Sequence, residues 1–299
     1  GFVGIHLLEQ LLCQTNTVVY CLVRAQNPQH AWDRIREAQV NFGLDFLMNP
    51  ERIIPLAGDL KKIKLGLSSK VWENLCESLD AIYHNGAYVH HLYPYSVLRK
   101  PNVQSVVQMI EMAYTSRIKS IHYVSTLNVS EKNNNREGIP EFRSGYVQSK
   151  WVAEQLLKET RQNKIPVNIY RLGQITGHSV TGACKTIDDN FLSFVKGCLQ
   201  MGYAPKLQKQ IELLPVDAAA KVIVGISKTI EKDQYSDSVF PICNNHLISW
   251  DEYWGWYQEQ GYKIEFLAYD DWLEKLMHIP EENALKPLVL FYSDPHYRE

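Results

Sequence analysis

Short apolar runs alternate along the chain with segments in which apolar residues recur every three or four positions. The first pattern predicts strands and the second predicts helices. The predicted strands cover residues 17–23, 52–58, 81–87, 120–126 and 167–173. The predicted helices cover the opening segment to residue 12 and residues 31–47, 69–78, 97–116 and 146–163. Because a crossover follows each strand, the pattern predicts an α/β fold with a Rossmann-like, doubly wound parallel sheet.

The chain opens on GFVGIHLLEQLL, in which Gly1 and Gly4 lead into an amphipathic run. Such a glycine pair is typical of the second half of a phosphate-binding turn, because the free N–H groups at a helix N-terminus bind anions. In a doubly wound sheet the strand before this turn lies centrally. We therefore expect an apolar strand and the first glycine of the turn upstream of Gly1, so that the first strand of the sheet is missing from this sequence.

Composition and charge narrow the class of protein. The chain has 299 residues, 45% hydrophobic side chains and a net charge of −2. Lysine and arginine are scattered along the chain, so we expect no nucleic-acid partner. The 6 cysteines lie far apart, without the spacing of a metal site or a disulfide framework. We therefore expect no metal and a reducing, cytoplasmic location, and no apolar stretch predicts a membrane span.

The strand at residues 17–23 is followed by Arg24, and Arg34 lies on the next predicted helix. An acidic residue at this strand end suits NAD, whereas an arginine suits the 2′-phosphate of NADP. Two guanidinium groups can bind such a phosphate with bidentate geometry, although both could also be solvated surface residues. Asp59, at the end of the following strand, could contact the adenine amine or simply form a turn. NADPH is therefore the expected cofactor.

The motif YVQSK places Tyr146 and Lys150 four residues apart, on one face of a predicted helix. The ammonium group is expected to lower the pKa of the phenol and to hold the cofactor ribose, so that the phenol donates a proton to a carbonyl. The motif VSTLNV places Thr126 at the carboxyl end of a strand, where α/β proteins bind ligands. A β-forming threonine bonded to local backbone is the alternative interpretation for Thr126.

These motifs resemble the extended short-chain dehydrogenase/reductase family. Within it, the chain is similar to the thioester reductase domains that end certain nonribosomal peptide synthetases and carboxylic acid reductases. The similar segments are GFVG, CLVRA, HNGAYVHHLYPY, LRKPNV, the long block that begins YRLGQITGHSVTGA and runs to Lys206, and LLPVDAAAKVIVGIS. Sugar epimerases of the larger family do not share that long block. The chain departs from the family pattern at Leu172, where proline is more common, and at Gly86, where alanine is more common.

The resemblance implies roles for individual residues. Thr126, Tyr146 and Lys150 would form the catalytic triad, with Asn102 as a proton-relaying fourth member. For Asn102, a polar group inside a helix that bonds to backbone or water is an equally open interpretation. The residues implied in cofactor binding are Gly1, Phe2, Gly4, Arg24, Arg34, Asp59, Leu60, Asn85, Gly86, Ala87, Tyr146, Lys150, Gln174 and Ile175, the last two beside the nicotinamide.

We expect two domains. An NAD(P)-binding Rossmann domain would comprise residues 1–181 and 211–248, and a smaller, mostly helical substrate-binding subdomain would comprise residues 182–210 and 249–299. In the smaller subdomain, Trp250, Tyr253, Trp254 and Tyr257 recur at helical spacing and predict the apolar face of one helix.

The resemblance implies NADPH-dependent reductive release of a carrier-tethered acyl or peptidyl thioester, as an aldehyde or, after a second reduction, an alcohol. The implied partner is an acyl or peptidyl carrier protein with a phosphopantetheine arm, within a larger multidomain synthetase. Two alternatives stay open: a fatty acyl-coenzyme A reductase that shares the site, and a non-catalytic Rossmann-fold interaction module. The sequence does not identify the acyl chain or the oligomeric state.

Overall fold

The computed structural model describes residues 1–44, 50–90, 92–130, 144–160, 162, 164–185, 189–229 and 238–294. The strands are β1 (Val19–Arg24), β2 (Ile53–Gly58), β3 (Ala81–His84), β4 (Ser120–Thr126), β5 (Val167–Leu172), β6 (Ile175–Thr176), β7 (Tyr203–Pro205), β8 (Gln210–Glu212), β9 (Leu214–Pro215), β10 (Ser238–Ile242), β11 (Leu247–Ser249) and β12 (Glu265–Leu267). The α-helices are α1 (Phe2–Gln14), α2 (Pro28–Asn41), α3 (Ser69–Ser78), α4 (Tyr95–Arg99), α5 (Ser105–Tyr114), α6 (Gly145–Thr160), α7 (Asn190–Met201), α8 (Val216–Thr229), α9 (Trp250–Glu259), α10 (Tyr269–Met277) and α11 (Val289–Ser293).

The chain divides into two compact units. The first comprises Gly1–Ala183 and Leu214–Cys243, and the second comprises Cys184–Leu213 and Asn244–Glu299. The parallel strands expected from the sequence all lie in the first unit. The role of the second unit in substrate binding stays a prediction.

The parallel strands of the first unit form two main sheets. One has the order β10-β5-β4-β3, and in the other β1 pairs with β2. Every strand pair in these two sheets is parallel. The predicted α/β class with a parallel sheet is therefore confirmed. The strand that we expect upstream of Gly1 stays a prediction.

Helices cover both faces of the four-stranded sheet, as a doubly wound fold requires. On one face, Ile121 of β4 packs in a buried cluster with Ala113 of α5 and Leu157 of α6. On the other face, Val124 of β4 belongs to a second buried cluster that contains residues of α1 and α8, such as Ile223. Because side chains alternate along a strand, β4 contributes to both cores and is buried on both sides.

The predicted helix at residues 97–116 is interrupted. The structure has α4, one π-helical turn at Lys100–Gln104, and then α5. Pro101 lies in this turn and has no N–H group to donate, which favours a local change of helical hydrogen bonding. The interruption matters for the site because the same turn carries Asn102.

The second unit has its own aromatic core. The predicted apolar face of α9 is confirmed, because Trp250, Tyr253 and Trp254 are buried and Tyr257 packs against the same cluster. Trp272 of α10 is also buried there.

Among the residues that the structure describes, no helix has the length and apolar character needed to span a membrane. In the same residues, no group of three His, Cys, Asp or Glu side chains could hold a metal ion.

Candidate active site

The N-terminus of α1 forms one edge of the candidate site. The helix begins directly after Gly1, whose carbonyl oxygen accepts a hydrogen bond from Ile5 N at 3.0 Å. A Cβ atom on Gly4 would lie 3.0 Å from Asn85 Nδ2, so the loop after β3 approaches the helix backbone closely at this point. The Phe2 ring packs against the Phe42 ring, with the ring centroids 4.8 Å apart. The first backbone N–H groups of an α-helix have no partner within the helix, and such helix starts are common binding sites for anions such as a pyrophosphate.

Arg24 and Arg34 lie together at the end of β1. Arg24 is the last residue of this strand, and the Arg34 guanidinium donates a hydrogen bond to the Arg24 carbonyl oxygen. Both side chains are exposed. The Arg34 guanidinium therefore lies beside the Arg24 backbone at the carboxyl end of a parallel strand, where α/β proteins bind ligands.

The turn after β2 meets the loop after β3. Asp59 Oδ1 accepts a hydrogen bond from Lys61 N at 2.9 Å, which forms a local turn. Leu60 reaches the β3 loop, because a Cβ atom on Gly86 would lie 2.8 Å from Leu60 Cδ1. The alanine that is common in the family would thus require a shift of the Leu60 side chain. Asn85 and Ala87 flank this contact and are partly exposed.

Gln174 and Ile175 follow β5. The Gln174 carbonyl oxygen accepts a hydrogen bond from Leu214 N at 2.8 Å, and Ile175 pairs with Leu214 in the short sheet β6-β9. The Gln174 side chain is exposed, and its Nε2 donates to the Ile175 carbonyl oxygen at 3.3 Å. This pairing with Leu214 holds the segment after β5 in place, and β5 lies beside the strand that ends at Thr126.

Helix α6 is attached to the end of β4 through Lys150. Lys150 Nζ donates a hydrogen bond of 2.7 Å to the Val124 carbonyl oxygen. The same nitrogen lies 4.6 Å from the centre of the Tyr123 ring. Thr126 ends this strand with its side chain partly exposed, and its Oγ1 accepts a hydrogen bond from Asn128 N at 3.3 Å. Tyr146 lies one helical turn before Lys150 on the same face of α6.

The pKa values at this pair differ from the sequence-based expectation. Burial lowers the pKa of Lys150 to about 7, and burial raises the pKa of Tyr146 to about 12. The expected lowering of the phenol pKa is therefore wrong for the protein as described. The reason is desolvation, which disfavours the charged form of each group, the phenolate and the ammonium alike.

Asn102 holds together two parts of the site. Its Oδ1 accepts a hydrogen bond from Tyr88 N at 2.7 Å, and its Nδ2 donates to the Tyr88 carbonyl oxygen at 3.1 Å and to Ser149 Oγ at 2.9 Å. Ser149 Oγ in turn donates to the Tyr146 carbonyl oxygen at 2.7 Å. The side chain of Asn102 thus bonds to backbone, as one of the two open interpretations has it, and it links the β3 loop to α6. A role in proton relay stays a prediction.

Gly145 is a further residue of the site, and none of the sequence motifs above includes it. A Cβ atom at this position would lie 2.4 Å from Tyr93 O, 2.5 Å from Tyr95 N and 2.6 Å from Pro94 C. Only glycine allows α6 to begin so close to this backbone. Its position directly before Tyr146 is the sequence signal that could have identified it.

Comparisons with known proteins agree with this geometry. A NAD-binding family model described as "Male sterility protein" matches residues 1–223. A linear gramicidin synthase of Brevibacillus parabrevis is 35% identical over 312 residues, which cover 99% of this chain and 6% of that protein. The L-2-aminoadipate reductase of Saccharomyces cerevisiae is 31% identical over 323 residues, which cover 98% of this chain and 23% of that protein. The chain thus spans less than a quarter of the length of these two curated relatives.

Among solved structures, the terminal R domain from the myxalamid PKS-NRPS biosynthetic pathway matches with a TM-score of 0.88 and 38% identity, over 97% of this chain and 76% of that chain. This structure shares the α/β fold described above. The chain therefore belongs to the NAD-binding "Male sterility protein" family, with the extended short-chain dehydrogenase/reductase fold of nonribosomal peptide synthetase R domains.

Proposed function

We propose that this chain is an NADPH-dependent reductase that releases a carrier-tethered acyl or peptidyl thioester as an aldehyde. The observation that carries the proposal is the attachment of α6 to the end of β4, through the 2.7 Å hydrogen bond from Lys150 Nζ to the Val124 carbonyl oxygen. This bond fixes the helix that carries Tyr146 next to the strand end that carries Thr126. The names of the relatives, a peptide synthase and an aminoadipate reductase, support the same class of reaction.

The residues of the first unit fit a dinucleotide. The close approach at Gly4 and at Gly86 leaves no room for larger side chains beside the start of α1 and the β3 loop. The two exposed arginines at the end of β1 suit a 2′-phosphate, which supports NADPH over NADH. When bound, the cofactor supplies the hydride. Lys150 would hold its ribose, and Gln174 and Ile175 would lie beside the nicotinamide.

The chain's own residues would handle the carbonyl and the proton. Thr126 and Tyr146 donate hydrogen bonds to the thioester carbonyl oxygen, which stabilise the negative charge as hydride adds to the carbon. With a pKa raised to about 12, Tyr146 stays protonated at neutral pH and can donate its proton to that oxygen. The carbon–sulfur bond of the resulting hemithioacetal then breaks to give an aldehyde and a free thiol. The balance is one thioester, one NADPH and one proton to one aldehyde, one thiol and one NADP⁺.

The partner in this proposal is a carrier protein with a phosphopantetheine arm, within a larger synthetase, and the second unit binds the acyl or pantetheine group. All six cysteines are free thiols, which supports a reducing, cytoplasmic location.

The test is NADPH oxidation by the full-length protein with an acyl carrier, an acyl-coenzyme A and a nucleotide sugar in parallel. We expect oxidation with the acyl carrier and a lower kcat/KM with the coenzyme A thioester. An equal or higher kcat/KM with acyl-coenzyme A would show that the coenzyme A thioester, and not the carrier thioester, is the substrate. Turnover of the nucleotide sugar alone would overturn the proposal, and binding of NADPH without any turnover would indicate a non-catalytic module.

A further inference from the structure

Glu154 places a buried carboxylate on the same face of α6 as Tyr146 and Lys150. Glu154 lies four residues after Lys150, as Lys150 lies four residues after Tyr146, so the three side chains follow one face of the helix. Glu154 has 0% of its surface exposed. A buried carboxylate is costly unless it is paired, so its partners show what it does.

Arg171 of β5 binds this carboxylate with two parallel hydrogen bonds. Arg171 Nε donates to Glu154 Oε1 at 3.1 Å, and Nη2 donates to Oε2 at 2.7 Å. The third nitrogen, Nη1, donates to Ser130 Oγ at 2.9 Å, in the segment that follows Thr126. Arg171 also lies opposite Ser125 in the register of β4 and β5. The pair therefore connects α6, β5 and the segment after Thr126.

Lys158 approaches the same carboxylate from the outer side. Its Nζ lies 3.8 Å from Glu154 Oε2, and the side chain is 33% exposed. This contact is longer and more solvated than the bonds from Arg171, so it contributes less. Lys158 thus offers a control that touches Glu154 without joining it to the strands.

The surroundings of Lys150 identify what the carboxylate acts on. The Val124 carbonyl and the Tyr123 ring of β4 contact this ammonium directly. His84 of β3 and Glu154 of α6 interact with it electrostatically. Burial lowers the pKa of His84 to about 3, so this ring is neutral. Glu154 is the group whose charge raises the pKa of Lys150 against the effect of burial.

A buried ion pair by itself adds little stability, because apolar side chains of similar volume often replace one without loss. This pair lies one helical turn beyond Lys150, so its carboxylate can act on the charge of the Lys150 side chain. We propose that Glu154, clamped by Arg171, is a positioning residue that keeps Lys150 in its ammonium form for the nicotinamide cofactor, a role that rests on the function proposed above.

The test measures the Kd of NADPH against pH, without acyl substrate, and then kcat/KM for the acyl carrier against pH. Binding through the ammonium weakens as pH rises through the pKa of Lys150, near 7 in the wild type. Glu154→Gln keeps the shape of the side chain but removes its charge. We expect the midpoint of the Kd profile to move down by about one pH unit, the usual effect of one nearby opposite charge.

Three further variants separate charge from structure. The double variant Glu154→Gln with Arg171→Met leaves no unpaired buried charge, so it serves if the single variant does not fold. Its midpoint should move down by less than that of Glu154→Gln alone, because the loss of the Arg171 cation offsets part of the loss of the carboxylate. Glu154→Asp keeps the charge and should restore the wild-type midpoint even if it lowers stability. Lys158→Gln should leave the midpoint in place.

Unchanged midpoints in both Glu154→Gln variants would show that the pair is structural only, and would overturn this inference while wild-type thioester reduction still stands. Shifted midpoints in a protein that binds NADPH but reduces no thioester would support the inference and reject the proposed reaction. A wild type that binds no nicotinamide cofactor would contradict both.

Discussion

Lys150 Nζ donates a 2.7 Å hydrogen bond to the carbonyl oxygen of Val124, two residues before the strand end at Thr126. This bond replaces one of the hydrogen bonds to water that a buried ammonium loses. It also fixes the position of α6 along β4. The face of α6 that carries Tyr146 and the end of β4 are therefore held in register by the side chain of Lys150. Changes at Lys150 should affect both stability and chemistry.

The first prediction concerns the pH dependence of stability. The pKa of Lys150 falls from 10.5 in the unfolded chain to about 7 in the fold. Between these values the unfolded state binds more protons than the native state, so this group makes the free energy of unfolding rise with pH. Lys150→Met removes the effect. The free energy of unfolding of the variant minus that of the wild type should be larger at pH 7 than at pH 10. The change should be a few kcal/mol, at about 1.4 kcal/mol per pKa unit.

Denaturant unfolding of both proteins at several pH values measures this difference. Lys158→Met, at a partly exposed lysine of the same helix, is the control for the loss of one lysine from α6. A Lys150→Met difference that does not change between pH 7 and pH 10 would show that Lys150 keeps its ordinary pKa in the fold.

The second prediction concerns Gly145. A Cβ atom here would lie within 2.6 Å of three backbone atoms of residues 93–95, and backbone cannot move aside as a side-chain tip can. Gly145→Ala should cost about 1 to 3 kcal/mol of stability, as overpacking usually does, and should lower kcat by displacing Tyr146.

Gly225 of α8 is the matched control, because a Cβ atom there would meet nothing within 4 Å. Gly225→Ala should stabilise the protein by up to about 1 kcal/mol through helix propensity. Thermal unfolding and steady-state kinetics of both variants decide the matter. A Gly145→Ala protein with wild-type Tm and kcat would show that α6 starts further from this backbone.

The third prediction concerns cofactor choice. Arg24→Ala should weaken NADPH binding by about 10- to 150-fold, since a hydrogen bond to a charged group is worth roughly 1.5 to 3 kcal/mol. NADH lacks the 2′-phosphate and should lose much less. The contact from Arg34 goes to the Arg24 carbonyl oxygen, which the substitution keeps.

Titration of each variant with both cofactors measures the effect. Arg36→Ala, an exposed arginine on α2, should change neither Kd. Equal losses for NADPH and NADH in Arg24→Ala would mean that the arginine supports the loop and does not select the cofactor.

Much of the fold could be predicted because the local signals of the parallel strands agree with the global arrangement. The predicted strands alternate with helical patterns, and parallel strands place their carboxyl ends at one edge of their sheet. Arg24 lies at such an end of β1, and Thr126 lies at such an end of β4. Strand β10 was not predicted. Its sequence is SVFPI, and Pro241 argues against a strand except at an edge, which is where β10 pairs with β5.

The features of the site that were missed depend on tertiary contacts. The pKa of Tyr146 is raised by burial that no local spacing reveals. The need for glycine at position 145 comes from the backbone of residues 93–95, about fifty residues earlier in the chain. The partner of Glu154 is Arg171, on a strand that the sequence does not align with α6. Local patterns suggest candidate residues for the site, and long-range packing decides their protonation and position.

The most direct test of the proposed reaction follows deuterium from NADPH labelled at the transferable position of C4 into the product of a carrier-bound thioester. The wild type should give an aldehyde with one deuterium, together with one free thiol and one NADP⁺. Tyr146→Phe should slow this transfer by about 10² to 10⁴, the usual contribution of a positioned acid, without changing the Kd of NADPH. A wild type that binds NADPH but transfers no deuterium to the thioester, or a Tyr146→Phe variant that transfers it at the wild-type rate, would contradict the account.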